Sequence, residues 1–148
     1  MGVVVVDVEQ QERYWYPDDG GQVWVAGYYP IDESGRFLSR DALAEAGLLV
    51  MHVAGAVHRP RALRSDEAAP GRPLRLRAEP DNPHDPSAIA VDLASGEPLG
   101  YVPRDLTAAL DASWSAVVLR EWRRSPRDAR DGVTMLAAAE AIELRQRR

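Results

Sequence analysis

The sequence predicts a mainly β protein with one or two helices, folded as a small β-barrel. Three observations predict it. Segments of strand length recur along the chain, rich in β-branched and aromatic residues or alternating in polarity. Clusters of Pro, Gly, Asp and Asn punctuate them at short intervals. Helical periodicity with a recognisable cap is confined to two short stretches, and many short strands with so little helix favour closure into a small barrel.

Residues 3–8 and 23–29 carry Val, Trp and Tyr, and residues 17–21 between them, Pro-Asp-Asp-Gly-Gly, predict the turn of a hairpin. Ser39 is placed to cap a short helix, Asp41 lies in its first turn, and Gly47 is suited to ending it. Residues 48–57 form a continuous apolar stretch that predicts a strand. The next ten or so residues, with Pro60, Pro70, Gly71 and Pro73 in and after them, predict irregular structure. Leu74, Leu76 and Ala78 alternate with Arg75, Arg77 and Glu79, the pattern of a half-buried strand with a charged outer face. After a turn at residues 80–86 come strands at 88–93 and 99–102, joined through Ser95-Gly96. Pro103 predicts the start of a helix reaching about Trp114, with Leu106 and Leu110 on one face, and residues 116–122 predict another strand. Residues 135–146 are rich in Ala, Leu and Glu, so intrinsic propensity alone reads them as helix.

Composition narrows the chemistry. The 148 residues fit one domain with an extension. They contain no cysteine, which excludes disulfides, thiolate nucleophiles and cysteine zinc sites, and no lysine, all 18 basic residues being arginine. A phosphate-binding-loop lysine or Schiff-base lysine is therefore excluded, and any ATP-driven motor served by this domain is another chain. No apolar run approaches the roughly 20 residues of a membrane helix, and the short apolar opening lacks a basic flank, so a cytoplasmic protein is expected. The net charge of −5 argues against coating nucleic acid through a broad basic surface. Locally, residues 58–77 hold six arginines against Asp66 and Glu67.

The most informative segment is Glu79-Pro-Asp-Asn82-Pro-His84-Asp85-Pro, followed by Ala88-Ile-Ala-Val, Gly96 and Gly100-Tyr101-Val-Pro-Arg104. Pro80, Pro83 and Pro86 fix φ in the turn, so Asn82 and Asp85 are held rather than free. An amide and a carboxylate three residues apart offer donors and acceptors to a hydroxyl and a base edge on one ligand. Arg104, at the predicted helix start, suits a phosphate. On the turn alone, Asn82 and Asp85 bonding their own backbone is the simpler reading. His84 is expected exposed. His52, His58 and His84 have no metal-ligand spacing, so neither a metal nor another cofactor is expected.

This pattern resembles the HIRAN domain, found on remodelling ATPases and in small bacterial proteins, and here it would be a stand-alone bacterial-type member with an N-terminal extension. The resemblance covers residues 50–145. It implies an OB-like or SH3-like barrel over residues 48–148, closed by the tail as a strand, with residues 1–47 packed on it as a hairpin and short helix. It implies recognition of single-stranded DNA at its 3′ end in DNA repair, replication or processing, with a helicase or nuclease as a separate partner chain. By position, Asp85 would accept from the terminal 3′-hydroxyl, Asn82 and His84 would meet the end nucleotide, Tyr101 would complete the pocket and Arg104 would contact phosphate. Where the family has a pair of aromatics on the first strand, this chain has Gly55-Ala56-Val57-His58-Arg59, leaving His58 and Arg59 as the stacking groups.

Two rival readings stand beside it. One is a protein-interaction adaptor whose barrel has lost DNA binding, consistent with the acidic total. The other is a small hydrolase using His84 and Asp85, which lacks a nucleophile and a metal cage, so no enzyme is expected. Arg59, Arg75, Arg77 and Arg104 converging on the Asn82–Asp85 turn would favour nucleic acid. Tyr14, Trp15, Tyr16, Trp24, Tyr28 and Tyr29 in the extension read chiefly as core, and Arg120, Arg123, Arg124, Arg127 and Arg130 as a solvated loop.

Overall fold

A computed structural model of the chain describes residues 2–17 and 21–147. It is mainly β, as the sequence predicts. The first strand, β1 (Val3–Trp15), pairs antiparallel with β2 (Val23–Pro30). Most of the expected turn between them, residues 18–20, lies outside the described residues. Helix α1 (Arg40–Glu45) follows, with the Ser39 hydroxyl accepting from Ala42 N and Gly47 beyond its end at φ +80°.

The predicted strand at 48–57 is shorter than its apolar run. Only β3 (Leu49–His52) pairs, because Gly55 turns left-handed at φ +74° and starts a 3-10 turn, Ala56–His58. The stretch after it is not irregular. Pro60 occupies the first turn of α2 (Pro60–Arg64), where its fixed φ helps a helix begin and its missing N–H costs nothing. Strands β4 (Pro73–Ala78), β5 (Ile89–Leu93) and β6 (Pro98–Tyr101) lie close to expectation. The helix expected from Pro103 to Trp114 is only a 3-10 segment, Arg104–Ala109. Leu110 is extended, and the Asp111 side chain accepts from Ser113 N, giving the backbone an alternative to helix. The chain then makes β7 (Ser115–Arg123), β8 (Gly132–Ala138) and β9 (Ala141–Gln146). Residues 135–146 are thus strand where propensity favoured helix. Among the described residues no helix is long and apolar enough to cross a membrane.

The ladders define a six-strand circuit. β6 pairs β5, β5 pairs β4, β4 pairs the start of β7, β7 pairs β8 and β8 pairs β3. The circuit closes where Ala54, just past β3, exchanges two backbone bonds with Tyr101 at the end of β6, at 2.8 and 2.9 Å. Gly100 makes this approach possible: a Cβ there would collide with the Ala54 carbonyl oxygen and come within 2.7 Å of Val53 Cγ1. Beyond β4, the second half of β7 pairs with β2, which carries β1, and β1 pairs in parallel with β9.

Because β7 pairs with strands of both groups and β8 is apolar on both sides, two cores form on the opposite faces of this pair. Ala116, Val118, Val133, Met135 and Ala137 point into the barrel with Met51, Leu74, Val91 and Leu99. Val117, Leu119, Leu136 and Ala138 point the other way, onto Val6, Val8, Leu43 and Leu48, with Ile142 and Leu144 of β9 beside them. Every residue of β8 is buried. A second correction concerns the arginines after β7: Arg130 is buried, its Nη1 donating to the Leu63 and Ser65 carbonyls at 2.7 and 3.0 Å, with Glu121 Oε1 3.4 Å from its Nε. Arg130 thereby holds α2 against β7 as part of a buried ion pair.

Two outcomes are expected. Gly100→Ala should lower stability by about 1–3 kcal/mol, the range for overpacking, in urea unfolding; an unchanged midpoint would mean that the closure tolerates a side chain. Deleting residues 1–47 uncovers Val117, Leu119 and Leu136, each contributing about 1.5–3 kcal/mol by burial, against a total stability of about 5–15 kcal/mol. The fragment 48–148 should therefore fail to melt cooperatively, and a sharp, reversible melt would contradict the two-core description.

Candidate functional site

The β4–β5 connection is a self-bonded turn. Glu79 N donates to the Ala88 carbonyl, Asn82 N to the Glu79 carbonyl and Ala88 N to the Asp85 carbonyl, at 3.0, 3.0 and 3.1 Å. Inside it, Asn82 Oδ1 accepts from His84 N and Asp85 N at 2.9 and 3.1 Å, an Asx-type cap on the turn. Its Nδ2 donates to Glu79 Oε1 at 2.9 Å. The amide of Asn82 is thus spent on the turn and on Glu79. Asp85 Oδ1 accepts from Ser87 N at 2.9 Å, whereas Oδ2 lies 3.7 Å from Arg104 Nε, an ion pair too long for a hydrogen bond. The Arg104 side chain is 78% exposed.

Beside the turn lies a cleft of about 550 Å³ lined by Arg77, Glu79, Asn82, His84 and Tyr101, with the turn prolines Pro80 and Pro83. Glu79 organises it. Besides Asn82, its carboxylate accepts from Tyr101 Oη at 2.9 Å and from Arg77 Nη1 at 2.9 Å. The Asn82 and Tyr101 hydrogen bonds, with Arg77 behind them, hold the Glu79 carboxyl below its ordinary value, and the same bond pushes the Tyr101 phenol up. Arg77 is raised chiefly by Asp92, whose carboxylate it grips through Nε at 2.9 Å and Nη2 at 3.3 Å. Asp92 is buried in the otherwise apolar β5, so Arg77 supplies the charge that lets it sit there.

Of the residues singled out from sequence, Asn82, His84 and Tyr101 line the cleft, and Asp85 and Arg104 form their pair next to it. Arg59 lines another groove, with Pro60, Arg61, Glu97 and Pro98. His58 is exposed on the 3-10 turn before it and shares no hydrogen bond or ion pair with the other six among the described residues. Arg75 does not join Arg77 and Arg104 either. It lines a separate groove with Trp114 and Ile142. Glu79 and Asp92 were not among the candidates. A carboxylate alone in the apolar run Ile-Ala-Val-Asp-Leu was the signal for Asp92, since a buried acid requires a cation nearby.

Chemically, the site offers acceptors in fixed positions, an exposed cation and two ring side chains. The sequence model of the HIRAN domain matches residues 46–131. A solved structure, the crystal structure of the HIRAN domain of human HLTF, is similar at 22% identity and a TM-score of 0.45, covering 64% of this chain and 77% of that one. No curated protein matches the chain.

Because the Glu79 carboxyl is depressed, the contribution of its ionised form is complete above the ordinary carboxylate value and is lost only as pH falls through the lower, folded value. In an NMR titration, Glu79 should protonate below the exposed glutamates, and the Asn82 amide and Tyr101 ring signals should shift with the same midpoint. Independent midpoints would remove Glu79 from its organising place.

Proposed function

Because the chain belongs to the HIRAN domain family, whose members are known as DNA-binding modules, we propose that it binds single-stranded DNA beside the Asn82–Asp85 turn and recognises the 3′-hydroxyl end. The observation that carries this reading is the Asp85–Arg104 pair. One Asp85 oxygen is fixed by Ser87 N, and the other, without a hydrogen bond among the described residues, lies beside an exposed guanidinium. A carboxylate accepts from a hydroxyl and an arginine binds phosphate. The last nucleotide of a strand carries both groups, a 3′-hydroxyl and a 5′-phosphate. Arg104 moves from Asp85 to the phosphate, and the sugar hydroxyl takes its place on Oδ2.

The neighbouring residues fit the rest of a nucleotide. His84 and Tyr101 line the cleft, and Arg59 and His58, outside it, are assigned to the following phosphates and bases. Asn82 acts through the turn: it fixes Asp85 N and so places the Asp85 carboxylate, and we assign it a positioning role in place of direct contact. Nothing in the site supplies a nucleophile with an oriented base, so the role is capture of an end, in repair, replication or processing, for a helicase or nuclease on another chain.

A second reading, a protein-binding adaptor, draws on the net charge of −5 and on Val57, which is 65% exposed beside the two positions, His58 and Arg59, where the family pattern has aromatics. The test separates the two. By fluorescence anisotropy, a short strand ending in a 3′-hydroxyl should bind more tightly than one ending in a 3′-phosphate, because Asp85 repels the added anion. Asp85→Asn should weaken the hydroxyl-ended strand by about 1–3 kcal/mol, the range for hydrogen bonds to charged groups, and shrink the discrimination. Arg104→Ala should weaken all sequences alike and flatten the salt dependence by about 0.7 in log–log slope, as for one phosphate on a single strand. Equal affinity for both ends, unchanged in Asp85→Asn, would transfer the argument to the adaptor.

A further inference from the structure

The extension carries a second cationic surface, on the face shared by β1, β2 and β7. Arg13 of β1 places its guanidinium carbon 4.6 Å from the centre of the Tyr29 ring and 5.7 Å from that of Phe37. Arg120 of β7 reaches the same Tyr29 ring at 4.5 Å while its Nη1 donates to the Tyr28 carbonyl at 2.9 Å. Tyr29 and Phe37 are themselves in contact, with centroids 5.6 Å apart. Gly27 lets the strands approach this closely: a Cβ there would collide with the Leu119 carbonyl oxygen and Arg120 Cα. A register shift between Val118 and Arg120 on β7 lies next to the same point.

The charges here are uncompensated. Arg61, Arg77, Arg104, Arg123, Arg130, Arg145 and Arg147 each have a carboxylate within 4.0 Å. Arg13 and Arg120 are among the ten described arginines that have none, and Arg13 donates instead to the Gln11 side-chain oxygen. Glu9, the Cα partner of Tyr29, forms no such pair with them. Burial lowers the Arg120 guanidinium from its ordinary value, and the charges of Arg40 and Arg13 lower it further, against a favourable contribution from Tyr29. Two like charges gathered on one ring, in a chain with an excess of acids, constitute a standing repulsion that a bound anion would relieve. Phe37 stays 48% exposed beside them.

We propose that Arg13 and Arg120, with Tyr29 and Phe37, form a second contact for single-stranded nucleic acid, the arginines holding phosphates and the Phe37 ring receiving a base. The aromatic component selects nucleic acid over an acidic protein segment, since a carboxylate chain gains nothing from a ring that a base stacks on. The proposal rests on the reading of the chain as a nucleic-acid binder and extends it to a part of the sequence outside the family match.

The test uses the full chain and a single strand of about 30 nucleotides, longer than the roughly 4–16 that one OB-type fold covers. Arg13→Ala removes one exposed charge outside either core, so thermal melting should move little, while the log–log salt slope of binding should fall by about 0.7, for one phosphate on a single strand. Phe37→Ala should weaken binding roughly 5- to 150-fold, the range for a lost stacked base. Discrimination between 3′-hydroxyl and 3′-phosphate ends should survive in these variants. Unchanged affinity and slope in both would overturn the proposal even if Asp85→Asn still abolishes end discrimination. Dependence on Arg13 and Phe37 without any end discrimination would uphold it while the end-capture reading fails. Competition by polyglutamate as effective as by the DNA strand would overturn it in favour of an unspecific polyanion surface.

Discussion

The structure depends on one constraint, that the β7–β8 ribbon is apolar on both faces. A strand usually has one face for the core and one for water, and alternating polarity follows. Here Val117 and Leu119 alternate with Ala116 and Val118, and β8 offers no polar face at all, its Thr134 included among the buried residues. Such a ribbon is stable only when covered twice. The barrel strands cover one side. The extension hairpin, α1 and β9 cover the other, so the segment outside the family match is a structural necessity for this chain as well as an appendage to it.

The same economy governs the cleft. Its polar groups are arranged around acids already committed to partners: Asp92 to Arg77, Glu79 to Arg77, Tyr101 and Asn82. Hydrogen bonds to charged acceptors are stronger than those between neutral groups, and several meeting on one carboxylate fix its neighbours with little freedom. Against this rigid background, Asp85 Oδ2 and Arg104 stand out as the groups whose polar capacity is least used. Preorganisation of this kind lowers the ordering cost of binding. It also explains how a turn full of prolines serves a site: the prolines restrict the backbone and the side chains complete the restriction.

Much of this was legible in the sequence, and the failures have physical causes. The hairpin, the Ser39 cap and the strands on either side of the 80–86 turn follow from local rules, because alternation and capping residues act over a few positions. Residues 135–146 misled propensity because Ala and Leu are good helix formers, and only partner strands make them β: β7 and β3 on either side of β8, and β1 along one edge of β9. Pro60 was read as a breaker although a proline in the first turn favours a helix. Asn82 and Asp85 were visible as a held pair, but their division of labour was not, since it depends on Glu79 at the end of the charged face of β4. Arg120 and Arg130 looked like loop charges because their covering partners, Tyr28, Tyr29, Leu63 and Ser65, are distant in sequence.

The parallel pairing of β1 with β9 sets Val3 opposite Ala141 and Val8 opposite Gln146. Its consequence is kinetic. Sequence-distant contacts carry a loop-closure cost that is offset only after nearer contacts have drawn the ends together, and such ladders form late. The ribbon of β7 and β8 is made of neighbours in sequence and assembles early, with Val117, Leu119 and Leu136 facing outward. Until β9 locks β1 over them, a growing chain displays an apolar sheet face, the surface on which partly folded proteins associate with one another. The interval between synthesis of β8 and docking of β9 is therefore the period in which this protein most needs a chaperone.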